Sequence, residues 1–198
     1  MGLDYAYIHG QTPLDEDEKD GLLIKTITTR GELDEFEQLN NENAVQWTIG
    51  KRFRSEYLLT EQFVKELHHK MFCDVWSWAG QFRKTDKNIG VDKSVIGISL
   101  RQLIDDFKYW IGNKIYDNDE AVIRFSHQIV LIHCFPNGNG RHSRLIADVY
   151  RYAFFNLPPY TWSKESLIKK GESRRKYIEA IKMADDGNIN PLINFAKS

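Results

Sequence analysis

The chemistry of this chain is concentrated in twelve residues, "HCFPNGNGRHSR", from His133 to Arg144. A histidine near its ordinary pKa accepts a proton at neutral pH, so His133 is a candidate general base. Glycines at 138 and 140 allow the backbone angles of a tight turn and let a ligand approach the main chain without a Cβ in the way. With Asn139 between them, their amides and the unpaired N–H groups of a following helix can converge on one anion. Arg141 and Arg144 lie three apart, on one helix face, and can contact successive phosphates of a polyphosphate. The pattern points to a base beside a phosphate-binding loop. Cys134 adjoins His133 in sequence, but neighbouring residues at a helix end point apart, which disfavours a cysteine–histidine nucleophile. His68, His69 and His127 lack the i, i+4 pairing of a helical metal site and read as structural or solvated.

Helices must position these groups. Asp117 and Glu120 have capping-box spacing ahead of "AVIRFSHQIVLIH", whose apolar residues cover nearly every face, as in a helix at the centre of a bundle. Pro136 and two glycines interrupt it, and from Arg141 a second helix runs through "RLIADVYRYAFF" to Pro158-Pro159. Further helices are expected from about Glu32 to Trp47, after Thr60 with Phe63, Leu67 and Met71 inward, and from a Ser99–Gln102 capping box with Leu100, Leu103, Ile104, Phe107 and Ile111 inward. A last long helix is expected over Lys164 to Asp185, with a short piece after Pro191. In "WSWAGQFRKTDKNIGVDKSVIGIS" helical spacing stops and Gly80, Gly90 and Gly97 separate short pieces, which predicts a β-hairpin flap near residues 80–98. The expected fold class is all-α, a compact helical bundle with one small flap. Residues 1–31 read as an arm and residues 32–198 as one domain.

Composition narrows the function. The chain has 198 residues, 41% of them apolar, and five tryptophans, enough for one sizeable core. Its formal net charge of -1 provides no global field to gather nucleic acid. No 18 apolar residues run together, so no membrane span is expected. Two cysteines, Cys73 and Cys134, are too few for a disulfide framework. The acidic start "MGLDYAYIHGQTPLDEDEKDG" is unlike a secretory signal, and the expected location is cytoplasmic.

The segment "HCFPNGNGRHSR" resembles the signature of the Fic (Fic/Doc) family: His, any, Phe, any, Asp or Glu, Gly, Asn, Gly, Arg, any, any, Arg. Every specified position matches except the acidic one, which is Asn137. Beyond it, "GQTPLDEDEKDGL", "TTRGELDEFEQ", "WAGQFR" and "RRKYIEAIKMADDGNINPLINF" are similar to the subgroup called mobile mystery protein B. The resemblance implies a Fic-type helical bundle and transfer of AMP from ATP to a Ser, Thr or Tyr hydroxyl of a target protein. Carried over, His133 would be the catalytic base and Phe135 would anchor the loop in the core. Gly138, Asn139 and Gly140 would form the anion hole, with Arg141 and Arg144 on the outer phosphates. Asn88, Ile89 and Gly90 would belong to the target-binding flap. Asn137 would stand at the Mg²⁺ ligand, where an amide oxygen brings no formal charge.

The family's inhibitory helix places Glu, followed by Gly or Asn, four residues after Ser or Thr. The nearest match runs from Gln38 to Glu42-Asn43, with the spacing but without the hydroxyl, so Glu42 is the candidate inhibitory residue. Subgroup members sit beside a small helix-turn-helix protein, which implies an antitoxin-like partner. Two other readings stay open: a transferase using another phosphate donor, and a catalytically weak module that binds nucleotide or a partner.

Overall fold

Local capping accounts for where several of the helices begin. In the computed structural model, which describes residues 14–163 and 170–198, helix α1 spans Glu16–Lys19 and α2 spans Arg30–Ile49. Thr29 caps α2: its hydroxyl accepts from the Glu32 amide at 3.2 Å, while the Glu32 carboxylate accepts from the Thr29 amide at 2.9 Å. After the short α3 (Ser55–Leu58), α4 (Glu61–Phe72) starts where Thr60 accepts from the Phe63 amide at 3.1 Å. Helix α5 covers Ile96–Asn113, α6 covers Asn118–Ile132 and α7 covers Asn139–Phe155. Asp117 caps α6 through the Glu120 amide at 2.8 Å, and α7 ends at Asn156 in the left-handed conformation, just before the prolines. Helices α8 (Lys170–Asp185) and α9 (Asn190–Lys197) follow; the expected start of α8 at Lys164 lies outside the described residues.

Helix α6 is the centre of the bundle, packed between α5 and α7 with buried residues on successive faces. Phe63, Phe107, Phe125 and Tyr150, each without exposed surface, meet beside it with ring centroids 4.8 to 6.4 Å apart. The buried Tyr150 hydroxyl donates to the Leu58 carbonyl at 2.7 Å, which ties α7 to α3. None of the helices among the described residues is long and apolar enough to cross a membrane.

Two expectations need correction. Helix α5 begins at Ile96, not Ser99, because Asp92 caps a 3₁₀ turn (Lys93–Val95) that runs straight into it; Gln102 instead donates to Asp106. The flap near 80–98 contains no β-hairpin: among the described residues the only β-type pairing is an isolated antiparallel bridge between Leu22 and Trp76. Its backbone pairs with the end of α6 instead, Arg83 N–H donating to Cys134 at 2.9 Å and Val91 N–H to Ile132 at 3.3 Å. Residues 18–23 lie against the 75–78 turn. The Leu23 amide donates to Val75, the Ser77 amide to Gly21, and the Trp78 indole to Glu18, each at 2.9 Å.

Candidate functional site

The turn between α6 and α7 is held from several sides. His133 ends α6 in the left-handed region, with φ of 55°. Phe135 is fully buried, its ring stacked on His68 with centroids 3.7 Å apart. His68 is read as the neutral Nε2–H tautomer, because Nε2 donates to the Asn137 carbonyl at 3.0 Å while Nδ1 accepts the Gly80 amide at 3.0 Å. Burial, with the neighbouring His142 second, holds the His68 pKa well below the ordinary range. The Asn139 side chain spans the loop, accepting from the Phe135 amide at 3.0 Å and donating to the Phe135 carbonyl at 2.8 Å. That pair of bonds fixes the loop's shape, so the side chain of Asn139 serves the scaffold while its backbone faces the turn.

Gly138 caps α7 with φ of 77°, and a Cβ there would fall 2.3 Å from the Phe72 ring. Only glycine fits. A helix leaves the amides of its first turn without internal partners, and α7 has no side-chain cap to take one of them; they carry the positive end of the helix dipole. Arg141 rises from that turn and Arg144 from the next. Arg141 lies over the Phe72 ring at 4.8 Å and donates to Glu37 at 2.7 Å; Arg144 lies over the Tyr177 ring at 5.2 Å and donates to the Gly140 carbonyl at 3.3 Å. From α8, Arg174 faces the same region: burial, then the like charges of Arg141, Arg30 and Arg144, make its guanidinium less basic than usual. The arrangement favours a multiply charged anion.

His133 is 5% exposed, covered by the segment around Gly90, where an added Cβ would lie 2.7 Å from the histidine Cβ. Burial first, and then the Arg83 and Lys87 charges, lower its pKa to about 4, against a hydrogen bond with the Val130 backbone. The imidazole is therefore neutral at pH 7, the form a base requires. Burial pushes the Cys134 thiol up to about 12, which removes it as a nucleophile. Asn88, Ile89 and Gly90 lie exposed on the outer edge of the flap, Ile89 at 48%.

Two predicted roles meet a different geometry. Glu42 is exposed and accepts from Gln38 at 2.9 Å; the carboxylate that α2 turns toward the loop is Glu37, 1% exposed, which also accepts from the Trp76 indole at 2.7 Å. The Asn137 amide oxygen accepts from the adjacent Gly138 amide at 2.6 Å, so it is turned into the loop. The described residues contain no group of three or more His, Cys, Asp or Glu side chains able to hold a metal. This donor set does not fit a resident Mg²⁺ ion. Sequence reasoning missed Glu37, Arg174 and Tyr177, whose positions on α2 and α8 carry no local signal. It took Arg83 as the start of the flap segment, which runs to Val91, and gave its side chain no role.

Residues 58–150 match the Fic/DOC family, and the loop lies inside that span. Among named relatives, the protein adenylyltransferase Fic of Drosophila grimshawi is 24% identical over 168 residues, covering 82% of this chain and 33% of the relative. That of Aedes aegypti is 25% identical over 141 residues, covering 69% and 27%. The chain thus spans about a third of the length of these relatives. Solved structures with the same fold include BepC of Bartonella tribocorum with bound AMPPNP, at TM-score 0.69 and 19% identity, covering 92% of this chain and 97% of that one. Fic-1 of C. elegans aligns at TM-score 0.68 and 19% identity, covering 90% and 51%. Fold, loop and sequence match agree: residues 58–150 match the Fic/DOC family, and the fold is that of solved Fic structures.

Proposed function

We propose that the protein transfers AMP from ATP to a Ser, Thr or Tyr hydroxyl of a target protein. One observation carries the reading: a single turn places a neutral imidazole at the end of α6 directly before the uncapped first turn of α7, with Arg141 on that turn and Arg144 on the next. The first-turn amides and Arg141 and Arg144 would hold the phosphates and stabilise charge as it develops. His133 would take the proton of the attacking hydroxyl. The hydroxyl oxygen then bonds to the α-phosphorus, and the bond from that phosphorus to the bridging oxygen breaks, releasing pyrophosphate. The names of the relatives support this chemistry, and the AMPPNP named in the BepC structure supports ATP as donor.

Residues 32–198 would form the catalytic domain and residues 1–31 an arm laid on it, with the target strand running along Asn88, Ile89 and Gly90. Any Mg²⁺ would be carried in by the triphosphate, with Asn137 adding at most an uncharged oxygen. The subgroup resemblance supports a small helix-turn-helix partner of antitoxin type. On the side of restraint, Glu37 takes the place given to Glu42: it occupies the Arg141 guanidinium that a phosphate would use. A second reading, a nucleotide-binding module with little turnover, is favoured by the amide at position 137.

Mass spectrometry of proteins from cells expressing the chain tests the proposal. AMP on hydroxyl side chains, absent with His133→Ala, supports transfer. Bound nucleotide with no modified protein supports the module.

A further inference from the structure

Three successive carbonyls at the end of α6 are capped by one neighbouring segment. Ile132 accepts the Val91 amide at 3.3 Å, His133 accepts Arg83 Nε at 2.7 Å, and Cys134 accepts the Arg83 amide at 2.9 Å. These are carbonyls that a helix leaves without internal partners, and they carry the negative end of its dipole. A guanidinium is a suitable cap because its donors diverge in a fixed plane. Beyond His133, Arg83 donates to the Thr85 carbonyl at 2.9 Å and, through Nη2, to the Val91 carbonyl. Its side chain has no exposed surface, and its nearest carboxylate, Asp86, lies 3.5 Å away and is about half exposed. A buried cation needs its hydrogen bonds satisfied, and here backbone oxygens satisfy most of them.

We propose that Arg83 is the positioning residue of this site, tying the His133 carbonyl to both ends of the 85–91 segment so that the imidazole keeps its orientation only while that segment is docked. The inference rests on His133 being the base. His133 sits in the left-handed region, which a side chain other than glycine adopts only when its surroundings hold it there. The surroundings are this segment: Arg83 on its carbonyl and Gly90 against its Cβ. The charged groups that bear on the imidazole, Arg83 and Lys87, also belong to the segment. Asp86 faces Arg83, while Asp15 and Glu18 from the arm hold Lys87 at 2.8 and 2.5 Å. A target strand docking at residues 88–90 would thus act on the same element that orients the base.

The full chain with ¹³C-labelled histidine gives the test, the His133 signal being assigned by its loss in His133→Ala. In the wild type that signal should titrate below about pH 5. In Arg83→Met it should move toward the ordinary value of about 6.5. The rate constant for AMP transfer should fall at least tenfold with KM for ATP within about twofold, and Arg83→Lys should restore part of it. Should Arg83→Met fail to fold, Gly90→Ala, which pushes the segment off His133, serves for the same titration. A folded Arg83→Met, or a folded Gly90→Ala in its place, with an unmoved His133 titration and an unchanged rate constant overturns the proposal. A wild type with no transfer but a titration that depends on Arg83 sinks the assigned reaction and supports the coupling.

Discussion

Glu37 and Arg141, 104 residues apart in sequence, form an ion pair at 2.7 Å in which the carboxylate is almost wholly buried and the guanidinium about one-third exposed. The second oxygen of Glu37 is fixed by the Trp76 indole, so α2 holds its carboxylate against the very arginine that a phosphate would approach. Glu37→Gln keeps an acceptor for Trp76 and removes the competing charge. Calorimetric titration with a non-hydrolysable ATP analogue should show affinity rising about five- to tenfold, the size of a 1–1.4 kcal/mol electrostatic competition. Unchanged or weaker binding would show that the pair does not restrain the site.

Gly138→Ala should be among the more damaging small substitutions. The methyl group would enter the Phe72 ring, and the backbone at φ 77° disfavours any side chain. The expected loss of stability is about 2–4 kcal/mol by denaturant titration, accompanied by loss of nucleotide binding. Gly140→Ala, whose Cβ would find its nearest neighbour at 3.7 Å, should be much milder.

Stability should fall as the solution is acidified. His68, His133 and His142 are all held below the ordinary histidine value, chiefly by burial, His133 and His142 to about 4. Between about pH 6.5 and 4 the unfolded chain therefore binds more protons than the folded one, and the free energy of unfolding rises with pH across that window. A depression from 6.5 to about 4 is worth about 3 kcal/mol per histidine when fully developed. Chemical denaturation at pH 7.5, 6, 5 and 4.5 measures it; His142→Gln should flatten the slope, and a flat wild-type profile would contradict the buried neutral histidines.

Asn137→Asp should bring metal dependence. The substitution adds a charge where the amide contributes none, so the Mg²⁺ concentration needed for half-maximal binding of the ATP analogue should drop about tenfold. An identical magnesium titration in both proteins would mean that residue 137 does not reach the ion.

Much of the scaffold was legible because its signals are local. Thr60 and Asp117 each cap the helix that follows within three residues, and the α6 pattern marks a helix buried all round. The misses arose where a competing local signal or a tertiary contact decides. Asp92, placed upstream, started α5 early and overrode the Ser99–Gln102 box. The hairpin did not form because Arg83 takes the carbonyls of residues 85 and 91 that a cross-strand partner would need. At the site, the glycines and arginines could be read from spacing alone. Glu37 could not, since nothing in α2 announces which carboxylate will meet a residue on α7.

The most direct measurement compares ATP labelled on the α-phosphate with ATP labelled on the γ-phosphate, each incubated with the protein and a cell extract. AMP transfer predicts protein-bound label from the α-labelled donor only, lost with His133→Ala. Label from the γ-position, or α-label that persists without His133, would contradict the account.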